Sequence, residues 1–159
     1  MKTLLLFLAL TGSARASDQA RIGEVGKTLD AFHQAASKAD GAAYFDLFAP
    51  QGVFLGTDAK ERWTVEEFKK YAMPHLSKGK GWTYVPHDRH VDLSADGETA
   101  WFDELLDSKS YGLCRGTGVL LKISGKWKIA QYHLTIPVPN ELADTMVKMI
   151  RSGKAPGGK

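Results

Sequence analysis

Asp103, His133 and His90 are the residues of this sequence whose types could move a proton if the fold brings them together. A carboxylate beside an imidazole orients the ring and stabilises it once charged. Burial pushes the carboxylate pKa up while the charged neighbour opposes that shift. The same residues serve equally well as satisfied polar groups paired for structure at a cavity mouth, and their types leave both roles open. Two imidazoles and a carboxylate are also metal-ligand types, but three residues on flat adjacent strands need not converge, so no metal site is expected. Trp101, Gln131, His90, Trp63 and Tyr44 are the accompanying candidates for ligand contact. Trp63 ends a polar loop, where it could lid a pocket or pack in the core, with Arg62 as an anion contact. Tyr44 and His33 lie in helical patterns, where packing competes with ligand contact.

The elements that would gather these residues are β-rich runs: Trp82 to Leu93, Thr99 to Leu106, Leu113 to Ile123 and Trp127 to Ile136. Asp96-Gly97 and Ser124-Gly125 are two-residue turn signals that make hairpins of the first and last pairs. The first turn sets Ala95 against Glu98, which places His90 opposite Asp103 and Arg89 opposite Glu104. The second places Gly116 opposite His133 and Gly118 opposite Gln131. If Leu106 pairs Leu113 across the looser middle connection, Asp103 faces Gly116 and Glu104 faces Arg115. One face then carries His90, Asp103, Gly116 and His133, with Trp101, Gln131, Ile129 and Trp127 farther along. The expectation is that this face lies under the helices, with Gly116 and Gly118 leaving floor space beside Asp103 and His133. Arg89, Glu104 and Arg115 would form an outer ion-pair ladder. Val91, Phe102, Val119, Leu121 and Tyr132 share that outer face, an apolar row that suggests a homodimer.

The helices precede the strands. Ile22, Val25, Leu29, Phe32 and Ala36 recur at helical spacing, predicting a helix over 22–39. Asp40 can cap a short second helix carrying Tyr44, Phe45 and Phe48, which Pro50 and Gly52 stop. Val53 to Leu55 reads as a brief strand and Gly56 to Trp63 as a polar loop. Thr64 with Glu67 makes a capping box for a third helix running toward Leu76. Asn140 can cap a last helix through Arg151, with Leu142, Met146, Met149 and Ile150 on one side, before a Gly-rich tail.

Particular phrases carry a family likeness: Gly56-Thr57-Asp58 with Glu61-Arg62-Trp63, Ala100-Trp101-Phe102-Asp103-Glu104, Arg115-Gly116-Thr117-Gly118-Val119-Leu120, and Lys126-Trp127-Lys128-Ile129 running to His133 and Pro137. With the element order, they resemble the SnoaL-like branch of the nuclear transport factor 2 superfamily over roughly Ile22 to Leu142. The resemblance implies an α+β fold, a cone-shaped α+β barrel with N-terminal helices packed on a curved antiparallel sheet. The superfamily includes isomerases, dehydratases, epoxide hydrolases and cyclases beside members that only bind or dimerise, so it implies no single activity.

The chain divides into an expected signal peptide at 1–16, a SnoaL-like domain at 20–142, and a C-terminal helix and flexible tail at 143–159. Leu4 to Leu10 is apolar, and Ala14-Arg15-Ala16 supplies the small residues a signal peptidase needs before Ser17. That run is far shorter than the roughly 20 apolar residues of a membrane span. A periplasmic or secreted protein, free of the membrane after cleavage, is expected. Removing Lys2 and Arg15 lowers the formal charge from +3 to +1, so no nucleic-acid partner is expected. Cys114 is the one cysteine, which leaves stability to packing.

Three functions compete at this level. The first is an exported small-molecule-binding domain, its pocket taking a mostly apolar ligand with a polar head. The second is a cofactor-independent acid-base enzyme of isomerase, dehydratase or cyclase type, with Asp103 and His133 as its catalytic pair. The third is a non-catalytic dimerisation or interaction module.

Overall fold

A computed structural model describes residues 5–153, with side chains from Ala16 onward. The N-terminal end of the expected leader and the tail from Lys154 lie outside the described residues. Helix α1 (Leu5–Ser37) is followed by α2 (Gly41–Asp46), β1 (Phe48–Leu55), β2 (Arg62–Thr64) and α3 (Val65–Leu76). Four strands follow: β3 (Val85–Leu93), β4 (Thr99–Ser108), β5 (Gly112–Ile123) and β6 (Lys126–Thr135). A 3₁₀ turn at Asn140–Leu142 leads into α4 (Ala143–Ser152).

Local sequence sets the helix starts. The Asp40 carboxylate accepts the Ala43 amide at 3.0 Å to begin α2, and Thr64 and Glu67 exchange the two bonds of a capping box at the start of α3. Both follow from the spacing of polar residues ahead of the apolar ones. The strand expected only at Val53 to Leu55 begins earlier, at Phe48, and runs through Pro50 and Gly52. It tolerates both because its pairing with β6 is irregular between Phe48 and Val53. The supposed loop before Trp63 ends in a short strand pairing β1. Asn140 opens a 3₁₀ turn rather than capping α4 directly, and no residue of α4 is buried.

The six strands form one curved sheet in the order β2-β1-β6-β5-β4-β3, antiparallel throughout except for the β1–β6 pair. Its edges, β2 and β3, stay apart, so the sheet wraps the helices without closing. This is the cone-shaped α+β architecture. Val25, Leu29, Phe32 and Ala36 of α1 press onto the concave face, joined by Tyr44 and Phe45 of α2 and Phe68, Ala72 and Leu76 of α3. The sheet answers with Ala100, Phe102 and Leu106, then Cys114 and Leu120, then Ile129, Tyr132 and Leu134.

The register differs from expectation in two places, and both exchange faces. Ile123 pairs Lys126 around Ser124-Gly125, whose positive φ values of 50° and 77° suit the tight turn. The pairing runs as expected to Leu120 opposite Ile129, but Val119 then pairs Gln131, leaving Ala130 as a bulge. Beyond it Tyr132 and Leu134 point inward and Gln131 and His133 outward. The middle connection is also one residue off, with Leu106 pairing Cys114 and Glu104 pairing Gly116. Phe102, Glu104 and Leu106 therefore face the core, and Trp101 and Asp103 face out. The apolar row assigned to the outer face is corrected accordingly: Phe102 and Tyr132 are core residues, and Val91 packs against them. Val119 and Leu121 remain on the convex side with the exposed Trp101.

Gly118 marks a tight point of this packing, because a methyl group there would overlap the Gln131 carbonyl oxygen and come within 2.8 Å of the Phe102 ring. Gly118→Ala should lower unfolding free energy by about 1–3 kcal/mol in urea denaturation. An unchanged midpoint would show that the β5–β6 bulge can relax to admit it.

Candidate functional site

Glu104 is a fully buried carboxylate on the inner face of β4. Its Oε1 receives His33 Nε2 from α1 at 2.7 Å and the Tyr132 hydroxyl from β6 at 3.4 Å. Its Oε2 accepts from Arg89 Nε of β3 at 2.7 Å. Arg89 continues outward, donating from Nη1 to the Gly26 carbonyl at 3.0 Å and to Asp30 at 2.8 Å. Burial works against the guanidinium charge, but Glu104 and Asp30 outweigh it and hold the Arg89 pKa above its ordinary value. Gly116 leaves room for the group: a methyl there would press within 3.1 Å of Glu104 Oε1 and closer still to the Tyr132 hydroxyl.

The cluster abuts a cavity of about 220 Å³ between the helices and the open end of the sheet. His33 and Tyr132 form one wall with Phe32 and Tyr44. Phe54, Trp63 and Phe68 stack nearly parallel, with interplanar angles of 17° for Phe54–Trp63 and 5° for Trp63–Phe68. Trp82 meets Tyr44 at 89°, so the rings enclose the space from different directions. Tyr71 and Tyr111 stand at the mouth, 56% and 55% exposed. Burial raises the Tyr44 and Tyr132 phenols well above the ordinary value, the nearby Glu104 charge adding to the effect at Tyr132, and burial pushes Tyr84 to about 12. All three are neutral donors at physiological pH. The Tyr44 hydroxyl is buried without a hydrogen bond of ordinary geometry; the Trp82 indole lies close enough to lower its pKa slightly but not to satisfy it.

The placement of the expected site residues is corrected by this geometry. His90, Asp103 and His133 do lie in one cross-strand row, through Thr117 rather than Gly116. That row is on the convex face, outside the cavity, with Asp103 and His90 exposed. Trp101 and Gln131 are exposed on the same side. The one-residue shift between β4 and β5 turned Asp103 outward, and the Ala130 bulge turned Gln131 and His133. His133 instead lines a separate outer cleft with Asp58 and Arg62, so Arg62 is not an anion contact of the aromatic cavity. Trp63 and Tyr44 do line it. Of the supposed outer ladder, the Arg89–Glu104 pair exists but is internal, and Arg115 is exposed opposite Leu105. Glu104 itself had a visible signal, since it alternates with Ala100, Phe102 and Leu106 in the more apolar of the two β4 sets. Trp82, Tyr84 and Tyr111 lie in connections and strand ends whose patterns carry no such signal.

Helices laid in the hollow of a curved, unclosed sheet define the class of cone-shaped α+β folds. The SnoaL-like domain model matches residues 25–139, and the chain belongs to the SnoaL-like family. Among curated proteins none matches it. Among solved structures, a candidate dehydratase of the NTF2-like family from Streptomyces avermitilis superposes with TM-score 0.65 at 16% identity, covering 76% of this chain and 99% of that one. A candidate scytalone dehydratase from Novosphingobium aromaticivorans gives 0.67 at 10% identity, with 78% and 89% covered. A candidate calcium/calmodulin dependent protein kinase II association domain from Xanthomonas campestris gives 0.55 at 28% identity, with 74% and 87% covered.

Removing the Glu104 charge while keeping its shape leaves Arg89 buried without its inner partner. Glu104→Gln should cost about 3–5 kcal/mol of stability, and adding Arg89→Met should restore part of that loss. Equal denaturation midpoints for wild type and Glu104→Gln would show that the pair does not hold the sheet to α1.

Proposed function

We propose that this protein is exported and binds a small, mostly apolar molecule in the aromatic cavity, with the polar head of the ligand against Tyr44 and His33. The observation that carries the reading is the buried, unsatisfied Tyr44 hydroxyl in the wall of a mostly aromatic space. A polar atom left without a partner costs about 1–3 kcal/mol, and a ligand oxygen or nitrogen would recover it. At about 30 Å³ per water molecule, a 220 Å³ space suits a ligand of one ring or a short branched chain. Export rests on the apolar run Leu4 to Leu10 and the small residues before Ser17. The partner we infer is a second copy of the chain, seated on the convex face about Trp101, Val119 and Leu121.

Native mass spectrometry of protein purified from its own host tests these readings together. The expected species is a pair of chains beginning at Ser17, each retaining a compound that Trp63→Ala releases. A chain retaining Met1, a monomer at micromolar concentration, or an empty cavity would each remove the corresponding part.

A second reading is favoured by one observation, the 2.7 Å bond between His33 Nε2 and Glu104. With that nitrogen donating to the carboxylate, Nδ1 is left as a base, and among the described residues no hydrogen bond occupies it. An imidazole so oriented can take a proton from carbon next to a carbonyl, the first step of isomerisation or dehydration, with the Tyr44 hydroxyl donating to the developing oxyanion. Incubating the retained compound with protein in deuterium oxide should then label it, and His33→Gln should abolish labelling. Labelling at the uncatalysed rate by wild type would leave a binding protein only.

A further inference from the structure

The charge around the cavity is one-sided. Among the described residues no lysine or arginine lines it. Arg89 is committed to Glu104, Gly26 and Asp30 behind the wall, and Arg62 lines the neighbouring outer cleft, which shares Gly56, Thr57 and Glu61 with the cavity but adds no basic group to it. Glu61 does line it, and among the described residues it makes no salt bridge. The Glu61 side chain lies so close over Gly56 that a methyl group there would overlap the carboxylate. Its Oε2 accepts the Asp58 amide at 3.2 Å, and the Glu61 carbonyl accepts the Gly56 amide at 2.8 Å, which fixes the loop that presents it.

The remaining wall is rich in aromatic rings. Trp63, Phe68, Tyr44 and Trp82 all line one space, the first two parallel to within 5° and the last two at 89°. Ring faces carry the negative end of the aromatic quadrupole and attract a cation within about 6 Å, tryptophan most strongly. An anionic head would meet those faces and Glu61 with no cation to balance it.

We infer that the cavity selects a small organic cation, a quaternary ammonium or a protonated amine, held between the ring faces and the Glu61 carboxylate. The inference rests on the reading of the cavity as a ligand site and names the charge of what enters it. Any hydroxyl or carbonyl on the cation would reach Tyr44 and His33 at the inner wall.

Calorimetric titration with three probes of one shape tests this: choline, neohexyl alcohol, which replaces the charged nitrogen by carbon, and tert-butylacetate, which carries a negative charge. Choline should bind about tenfold more tightly than the alcohol, and tert-butylacetate most weakly. Glu61→Gln keeps an acceptor oxygen for the Asp58 amide while removing the charge. It should reduce the choline preference by up to about fivefold and leave the alcohol unaffected. Equal or tighter binding of the alcohol or the carboxylate overturns the cation preference alone. Absence of binding by all three overturns the ligand-site reading and this inference with it.

Discussion

The Glu104 carboxylate ties the layers of this protein together. It sits on β4, one strand in from the edge, fully buried, and is reached by groups from α1, β3 and β6. A charge so placed is costly unless paired and hydrogen-bonded on both oxygens, and here both oxygens are occupied. The consequence is geometric: α1 must lie where His33 reaches one oxygen, and β3 must twist so that Arg89 reaches the other. The pairing of β3 with β4 shifts between His87 and His90, and Asp88 adopts φ 46° in that interval. The irregularity brings Arg89 beneath α1, where its Nη1 meets Gly26 and Asp30.

This constraint also places the cavity. With His33 drawn to the sheet, α1 packs closely at Leu29 and Phe32, and α2 carries Tyr44 onto Phe32 at a centroid distance of 4.5 Å. The open space is displaced toward the mouth, between α3, the loop after β1 and the segment before β3. Gly116 and Gly118 provide no floor space for a ligand. Their missing side chains are filled by the Tyr132 hydroxyl and the Phe102 ring, so small residues in the sheet here serve close packing.

The fold was legible because its signals are local. Helical periodicity in α1, the Thr64–Glu67 capping box and the Ser124-Gly125 turn each act over a few residues; the box and the turn appear where the sequence puts them, and the helix expected over 22–39 is the later part of one that begins at Leu5 and ends at Ser37. The cavity-facing residues were less legible because facing is a running count along the strand. One bulged residue, Ala130, or a loop one residue longer between β4 and β5, inverts every later assignment. The hydrophobic alternation of Ala100, Phe102 and Leu106 pointed inward, in conflict with the count from the turns. That conflict had a physical resolution: burying Phe102 and Leu106 removes far more apolar surface from water than Asp103 could recover by pairing.

The outer row of His90, Asp103, Thr117 and His133 shows what that inversion means for chemistry. These residues lie in one row across three strand pairs, on the outer face and with no hydrogen bond joining the two histidines and the carboxylate among the described residues. In water, however, an exposed carboxylate and imidazole interact weakly and are screened by salt, which leaves Asp103 little leverage over either ring. The same two chemical types inside the cone, Glu104 and His33, are held at 2.7 Å with both side chains buried. The difference between a surface contact and a buried, hydrogen-bonded pair in this protein is the side of the sheet on which a one-residue shift has placed them.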